Sequence, residues 1–497
     1  MAALGEAGGS DLLLSRQPVS VLGIALVACA AALATSGCVV GTAAGVGAGF
    51  TAKVGCSLAW NSGQDVDVLL RDYIEPEAAP LGPLLAVEKT EDGASGRALG
   101  VVTARAVHRP GLGCTLLRDA TAESLQLPNG FDEARRPRPP GAWPLGAGGV
   151  ASPPPPALTA AIDRAFAEPV GAEKGRARRT TAVVVAHEGE LVAERYAPGY
   201  GPDVPMLSWS MAKSVTAALL AIEIGDGRLQ LRAPAPVPEW SKPDDPRHAI
   251  TIDQLLRMSS GLAFDEHYGA VNDVSRMLFL SGDVGKFAAE SELGAPPDCV
   301  WAYSSGTTNI LARILRDLHG NDLAALVRFS RERLFDAADM TSAFLEPDAS
   351  GSFIGSSFVF MTARDWARFG ELHRNDGVWF GHRILPEGWV HYVTTPTPRA
   401  PLGQYGAHFW LNAGDPQDPS KRPWPKLPTD TFAATGHSGQ YVFVVPSMKL
   451  VVVRLGLSLP DDGKEGAEDL VAEVIAAIES QTAFAQVGRL PESADAQ

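Results

Sequence analysis

The chain contains no C-x-x-C pair, no Cys/His cluster and no Gly-x-Ser-x-Gly segment. The first two absences leave no sequence basis for a metal centre, and no cofactor is expected. The third removes the nucleophile elbow of the α/β-hydrolases. Basic residues are in deficit, with 42 Lys and Arg against 57 Asp and Glu and a formal charge of −15. A surface of that sign repels polyanions, so nucleic acid is excluded as a partner. No internal repeat is present. What remains is 45% hydrophobic and 20% charged over 497 residues, a composition and length that allow two or three domains, each with its own core.

Charge is missing altogether between Arg16 and Lys53, across "PVSVLGIALVACAAALATSGCVVGTAAGVGAGF". This apolar, small-residue run reads as an export segment with its hydrophobic centre at about Val19 to Leu33. "ATSGC" resembles a bacterial lipobox, which would lipidate Cys38. An uncleaved membrane anchor and plain secretion are the alternatives, because the run exceeds the roughly 20 residues that span a bilayer. Each places the protein in the cell envelope or outside it. The five cysteines are sparse: Cys29 and Cys38 lie in this segment, Cys299 stands alone, and Cys56 and Cys114 flank one region. In an oxidising compartment those two are candidates for a disulfide, the alternative being two free buried thiols.

Composition divides the rest. Residues 1–38 are the export or anchoring segment and 39–134 an accessory region, whose alternating runs between Ser57 and Arg118 favour strands. Residues 135–157 ("RRPRPPGAWPLGAGGVASPPPPA") are rich in Pro and Gly, and read as a linker or an extended arm over the following domain. A packed domain occupies 158–485, and 486–497 form a tail. Within the domain "LTAAIDRAFAE" has helical spacing, "TTAVVVAHEGELVAERY" and "QYVFVVPSMKLVVVRLG" are hairpins, and "GAEDLVAEVIAAIES" is an amphipathic helix. Strands at both ends with helices between them imply one antiparallel sheet built from distant segments and covered by helices: an α+β fold.

Chemistry gathers at "LSWSMAK", which heads an apolar helical run. Ser210 and Lys213 are three positions apart, on one helix face. Partial burial and the positive end of the helix dipole ease deprotonation of the ammonium, and a neutral lysine there accepts the serine proton. A bare S-x-x-K also arises by chance as a helix cap with a snorkelling lysine, so further elements are needed. "WAYSSGTTNILARIL" supplies Tyr303 and Ser305 at the entrance of another helix, where a tyrosine relays a proton. "TGHSGQYVFVV" supplies a Gly-rich entry into a strand, with Gly439 expected to let a substrate approach the strand edge and His437 pointing at it.

These three elements, in this order, resemble the serine hydrolases of the β-lactamase and penicillin-binding-protein superfamily, and among them the class C β-lactamase-related esterases and amidases. "SMAK" is similar to S-x-x-K, "YSS" to Y-x-N and "HSG" to the K-T-G strand motif, over roughly Leu158 to Ser480. The resemblance implies a β-lactamase/transpeptidase-like fold, an antiparallel sheet flanked by helices with a mostly helical subdomain. By the same likeness Ser210 is the acyl-accepting nucleophile, Lys213 its base and Tyr303 the proton shuttle. The backbone N–H groups of Ser210 and Gln440 hold the oxyanion, and Ser305, His437, Ser438 and Gly439 line the substrate edge. "FDEHYGAVND" resembles the mobile loop of the group's linear-amide hydrolases, which would place Tyr268 over the site.

Two departures bear on the substrate. Ser305 stands for the asparagine of Y-x-N, and His437 for the lysine that anchors a β-lactam carboxylate; a neutral imidazole holds such a carboxylate less firmly. The expected substrate is a small ester, amide or short peptide other than a β-lactam. A catalytically weak relative that binds a cell-wall or peptide ligand is the alternative reading.

Overall fold

The computed structural model describes residues 21–125, 137–169, 177–269, 271–459 and 465–487, with side chains between residues 39 and 481. Its contacts divide the chain into Met1–Ala43 and Ala44–Gln497. The side chains of Cys29 and Cys38, the start of the Pro/Gly-rich stretch at residues 135–136 and tail residues 488–497 lie outside the described residues.

Helix α1 (Val21–Asn61) runs uninterrupted through the boundary drawn at residues 38 and 39. Its part after Ala43 is a core element: Ala48, Ala52, Val54 and Cys56 are fully buried. Strands begin only at Leu85, after short helical turns that carry the chain from Val66 to Glu77. Four antiparallel strands then follow in sequence order, β1 (Leu85–Thr90), β2 (Gly93–Ala98), β3 (Val102–Arg109) and β4 (Gly113–Leu116). Cys56 of α1 is disulfide-bonded to Cys114 of β4, with 6.1 Å between their Cα atoms. In the same place Lys53 Nζ donates to Glu346 at 2.6 Å, both side chains being fully buried.

The described part of the Pro/Gly-rich stretch is an arm laid on the fold. Trp143 is buried, and the Arg368 guanidinium donates to the Pro144 and Gly146 carbonyls. Helix α2 (Pro156–Phe166) leads into β5 (Thr180–His187) and β6 (Glu190–Tyr196). These pair with strands from the far end of the chain, β7 (Trp410–Leu411), β8 (Phe432–Gly436), β9 (Gln440–Val445) and β10 (Leu450–Gly456). The result is a six-stranded antiparallel sheet in the order β7-β8-β9-β10-β5-β6.

Side chains of period two divide this sheet between two cores. Val183, Val185, Phe443 and Val452 face Leu158 and Ile162 of α2 and Leu470, Val471 and Val474 of α6 (Ala467–Val487). Val184, Val442, Val451 and Val453 face the larger core, which holds α3 (Ala212–Gly225) and α5 (Ala363–Arg374). With both faces covered, β5, β9 and β10 read as nearly unbroken Val-rich runs, while edge strand β6 keeps an alternating pattern. Helices inserted between β6 and β7, α3, α4 (Ser305–Leu318) and α5 among them, complete the α+β architecture.

Candidate active site

Ser210 sits in the 3-10 turn Trp209–Met211 that opens α3, with Lys213 one turn further on. Trp209, the residue before the serine, has φ +44°, a left-handed conformation a bulky side chain rarely adopts. It is fixed from several sides. Its indole N–H donates to Tyr73 Oη at 2.9 Å, and its ring lies 5.6 Å from that of Phe358 and 5.5 Å from that of His437.

Lys213 Nζ is 2.9 Å from Ser210 Oγ, 3.0 Å from Ser305 Oγ and 3.2 Å from the Ser356 carbonyl oxygen. It also lies over the Tyr303 ring, 4.7 Å from its centroid. Burial pushes its pKa down to about 8, and the nearby Glu266 carboxylate opposes that shift. Glu266 itself accepts from Ser305 N at 2.7 Å and from Ser305 Oγ at 2.5 Å. Burial of this carboxyl raises its pKa, with Lys213 and the Ser305 bonds working the other way. Asn309 of α4 holds Ser356 in place through two hydrogen bonds of 3.1 Å.

Tyr303 precedes α4, whose first turn is capped by Ser304. Its ring packs on Tyr405 and Trp410 at 5.8 and 5.4 Å. Tyr268 is 44% exposed and stacks on His437 with ring centroids 5.6 Å apart. The structure therefore brings Ser210, Lys213, Tyr303, Ser305, His437 and Tyr268 together from four separate stretches of chain.

Three of the expected binding residues are placed differently from the sequence reading. Ser305 is fully buried and links Lys213 to Glu266 instead of lining the cleft. Ser438 is also fully buried, with its Oγ 3.1 Å from Tyr73 Oη. Gly439 has φ +80°, and a Cβ there would come within 1.9 Å of Arg454 Nη1. Its missing side chain makes room for that buried arginine, not for substrate. Gly436 is the glycine that permits the close approach: a Cβ on it would lie 2.2 Å from the Ser208 carbonyl and 3.2 Å from Ser210 N. It lets β8 press against the nucleophile turn. Gln440 pairs with Gly436 across the hairpin, and its side-chain amide turns inward to the Gly456 carbonyl.

The sequence reading missed Glu266, although it lies in the quoted "FDEHYG", and missed Tyr73 and Glu77 of the accessory region. Glu77 Oε1 is hydrogen-bonded to His437 Nε2. Among the described residues no group of three or more His, Cys, Asp or Glu is arranged to hold a metal ion.

A helix-covered antiparallel sheet and an S-x-x-K serine at the head of a buried helix define a serine hydrolase of the β-lactamase and penicillin-binding-protein superfamily. The chain belongs to the Beta-lactamase family, whose model matches residues 162–476. It is 26% identical over 303 residues to the 6-aminohexanoate-dimer hydrolase of Paenarthrobacter ureafaciens, covering 57% of this chain and 73% of that protein. It is 28% identical over 204 residues to penicillin-binding protein 4 of Amycolatopsis lactamdurans, a match to 34% of this chain and about half (51%) of that protein's length. Among solved structures EstCE1, described as a hydrolase with promiscuous acyltransferase activity, is similar in fold. Its TM-score is 0.51 at 15% identity, over 64% of this chain and 98% of EstCE1.

Proposed function

We propose that this protein is an exported serine hydrolase that cleaves a small ester or amide through an acyl-enzyme formed on Ser210. The observation that carries the reading is the 2.9 Å contact between Ser210 Oγ and a buried Lys213 whose pKa is pushed down to about 8. A neutral amine has two N–H bonds and one lone pair. Ser305 Oγ gives its own proton to Glu266 and so offers Lys213 a lone pair; the Ser356 carbonyl offers another. With both N–H groups thus engaged, the amine lone pair is left for the Ser210 hydroxyl proton.

Attack by Ser210 Oγ on the substrate carbonyl forms the tetrahedral intermediate as Lys213 takes that proton. Its oxyanion is assigned to the backbone N–H groups of Ser210 and Gln440, donors fixed before the reaction begins. Tyr303, with its ring against Lys213, is assigned the relay that returns the proton to the leaving group. Water then attacks the ester of Ser210 by the reverse proton path and frees the enzyme. Esters and linear amides are the proposed substrates, in line with the name of the Paenarthrobacter relative. A β-lactam is not, because His437 bonded to Glu77 replaces the lysine charge.

Export rests on the uncharged segment before Lys53 and on the Cys56–Cys114 disulfide, which suits an oxidising compartment. The helix has a stretch long and apolar enough to cross a membrane at Val39–Asn61. Most of that stretch is buried from Ala44 onward, so anchoring or lipidation at Cys38 is assigned to the residues before it.

The test is incubation of the protein with a fluorophosphonate probe and with p-nitrophenyl butyrate. Stoichiometric labelling of Ser210 with turnover supports the proposal. Labelling and turnover that survive Ser210→Ala would move the nucleophile elsewhere, and a folded protein that neither labels nor turns over would be a binder. A panel of short esters, D-aminoacyl amides, the 6-aminohexanoate dimer and nitrocefin then ranks the substrates.

A further inference from the structure

The family match begins at residue 162, yet two side chains from well before it reach the residues around Ser210. Tyr73 and Glu77 stand four positions apart on consecutive helical turns, Leu70–Ile74 and Glu75–Glu77, a spacing that puts them on one face. Tyr73 is fully buried and joins the nucleophile turn to the turn between β8 and β9, accepting from Trp209 Nε1 at 2.9 Å and meeting Ser438 Oγ at 3.1 Å. Glu77 is bonded to His437, and their side chains are 18% and 14% exposed. The same imidazole touches Trp209, next to the nucleophile, and stacks on the exposed Tyr268. The accessory region is thereby tied to the residue preceding Ser210 and to the His437 edge at once.

We infer that the segment Val66–Glu77 forms one wall of the substrate cleft and that Glu77 is a specificity-determining residue that disfavours substrates carrying a carboxylate on the His437 side. This inference rests on the hydrolase reading above. A carboxylate at that edge repels a second one, and partial burial lessens the screening between them. Tyr73 fixes where the carboxylate stands, since it shares the helical face and is bonded to Trp209 and Ser438. Neutral or amine-bearing acyl groups meet no such penalty.

The experiment compares p-nitrophenyl butyrate with p-nitrophenyl hemisuccinate, whose four-carbon acyl groups differ by a terminal carboxylate, on the full chain. The assay is run at one fixed pH for the wild type and every variant. The wild type prefers the butyrate. Glu77→Gln narrows the ratio of the two kcat/KM values by about tenfold, as removal of one partly screened charge several ångströms away does. The change falls mainly in KM for the hemisuccinate. Glu77→Asp retains most of the preference.

A measurement that needs no variant runs beside it: raising NaCl from about 0.05 to 1 M narrows the wild-type ratio, because salt screens the repulsion. An unchanged ratio in folded Glu77→Gln, or a wild-type ratio insensitive to salt, overturns the inference while leaving the hydrolase reading intact. A wild type that neither labels with fluorophosphonate nor turns over either ester overturns the hydrolase reading, and the inference falls with it.

Discussion

Glu266 accepts both the amide N–H and the hydroxyl of Ser305, at 2.7 and 2.5 Å, and so dictates that Ser305 Oγ presents a lone pair to Lys213, 3.0 Å away. The carboxylate has two effects on the base. Through Ser305 it orients the amine, and through its charge it holds the Lys213 pKa above the value that burial alone would set. These effects separate under substitution, because glutamine keeps an acceptor oxygen and loses the charge.

The acid limb of log kcat/KM against pH reports the free enzyme's essential base. If that base is Lys213, activity rises as pH climbs towards about 8, where the ammonium loses its proton. Glu266→Gln removes the group that favours the charged amine, so the limb moves to lower pH. A limb that stays in place, or moves to higher pH, would show that another group is titrating.

The Cys56–Cys114 bridge closes a loop of 58 residues. Chain-entropy reasoning for a loop of that length gives about 4 kcal/mol, within the range of about 2–5 kcal/mol seen when native disulfides are removed. Cys56→Ser/Cys114→Ser should lower the urea-unfolding free energy by an amount in that range, and non-reducing mass spectrometry of exported wild type should show one linked peptide pair. Alkylation of both wild-type cysteines without denaturant would contradict the bridge.

Glu346 receives four donors in the core: Lys53 Nζ at 2.6 Å, Ser57 Oγ at 2.7 Å, Asn61 Nδ2 at 2.7 Å and Cys114 N at 2.6 Å. Three come from α1 and one from β4, so this carboxylate joins the accessory region to the rest of the fold. Glu346→Ala leaves the buried Lys53 ammonium with the Cys114 carbonyl as acceptor but without its countercharge, and should cost about 3–5 kcal/mol of stability. Lys53→Met combined with Glu346→Leu should recover part of that loss in the same unfolding assay. A single substitution costing less than about 1 kcal/mol would mean that the Lys53 charge is solvated or neutralised once Glu346 is gone.

What was legible in the sequence follows from range. Both hairpins announced themselves through β-branched runs, and S-x-x-K, Y-x-S and H-S-G each lie within a few consecutive residues. Lys53–Glu346 and Glu77–His437 join residues hundreds of positions apart, and nothing local marks a glutamate as the partner of a distant lysine or histidine. The end of α1 misled for a different reason. "GTAAGVGAGF" has the small apolar composition of an export segment, and the same small residues let a core helix pack closely: a Cβ on Gly49 would come within 2.3 Å of the Phe279 carbonyl. Gly439 was read as an opening for substrate because a glycine shows only that space is needed, not which neighbour needs it.

Lys213 and Tyr303 should act with Ser210 as one unit. Deprotonating a serine hydroxyl near neutral pH needs a poised base, and expelling the leaving group needs the proton returned. The Lys213 amine lies 2.9 Å from Ser210 Oγ and over the Tyr303 ring, and the proposed path carries the proton from that amine to the leaving group by way of the tyrosine hydroxyl. Lys213→Ala and Tyr303→Phe should each lower single-turnover acylation by roughly 10²- to 10⁴-fold, the range of positioned acid–base groups. Once either group is gone the path is already broken, so removing the other has little left to interrupt. The double variant should therefore lose much less than the product of the single losses. The Lys213 variant also removes a buried cation that Glu266 faces, so far-UV circular dichroism and thermal unfolding must first show that each variant is folded. Multiplicative losses among folded variants would mean that the two groups serve separate steps, and would overturn the shared path even if Ser210 proves to be the labelled serine.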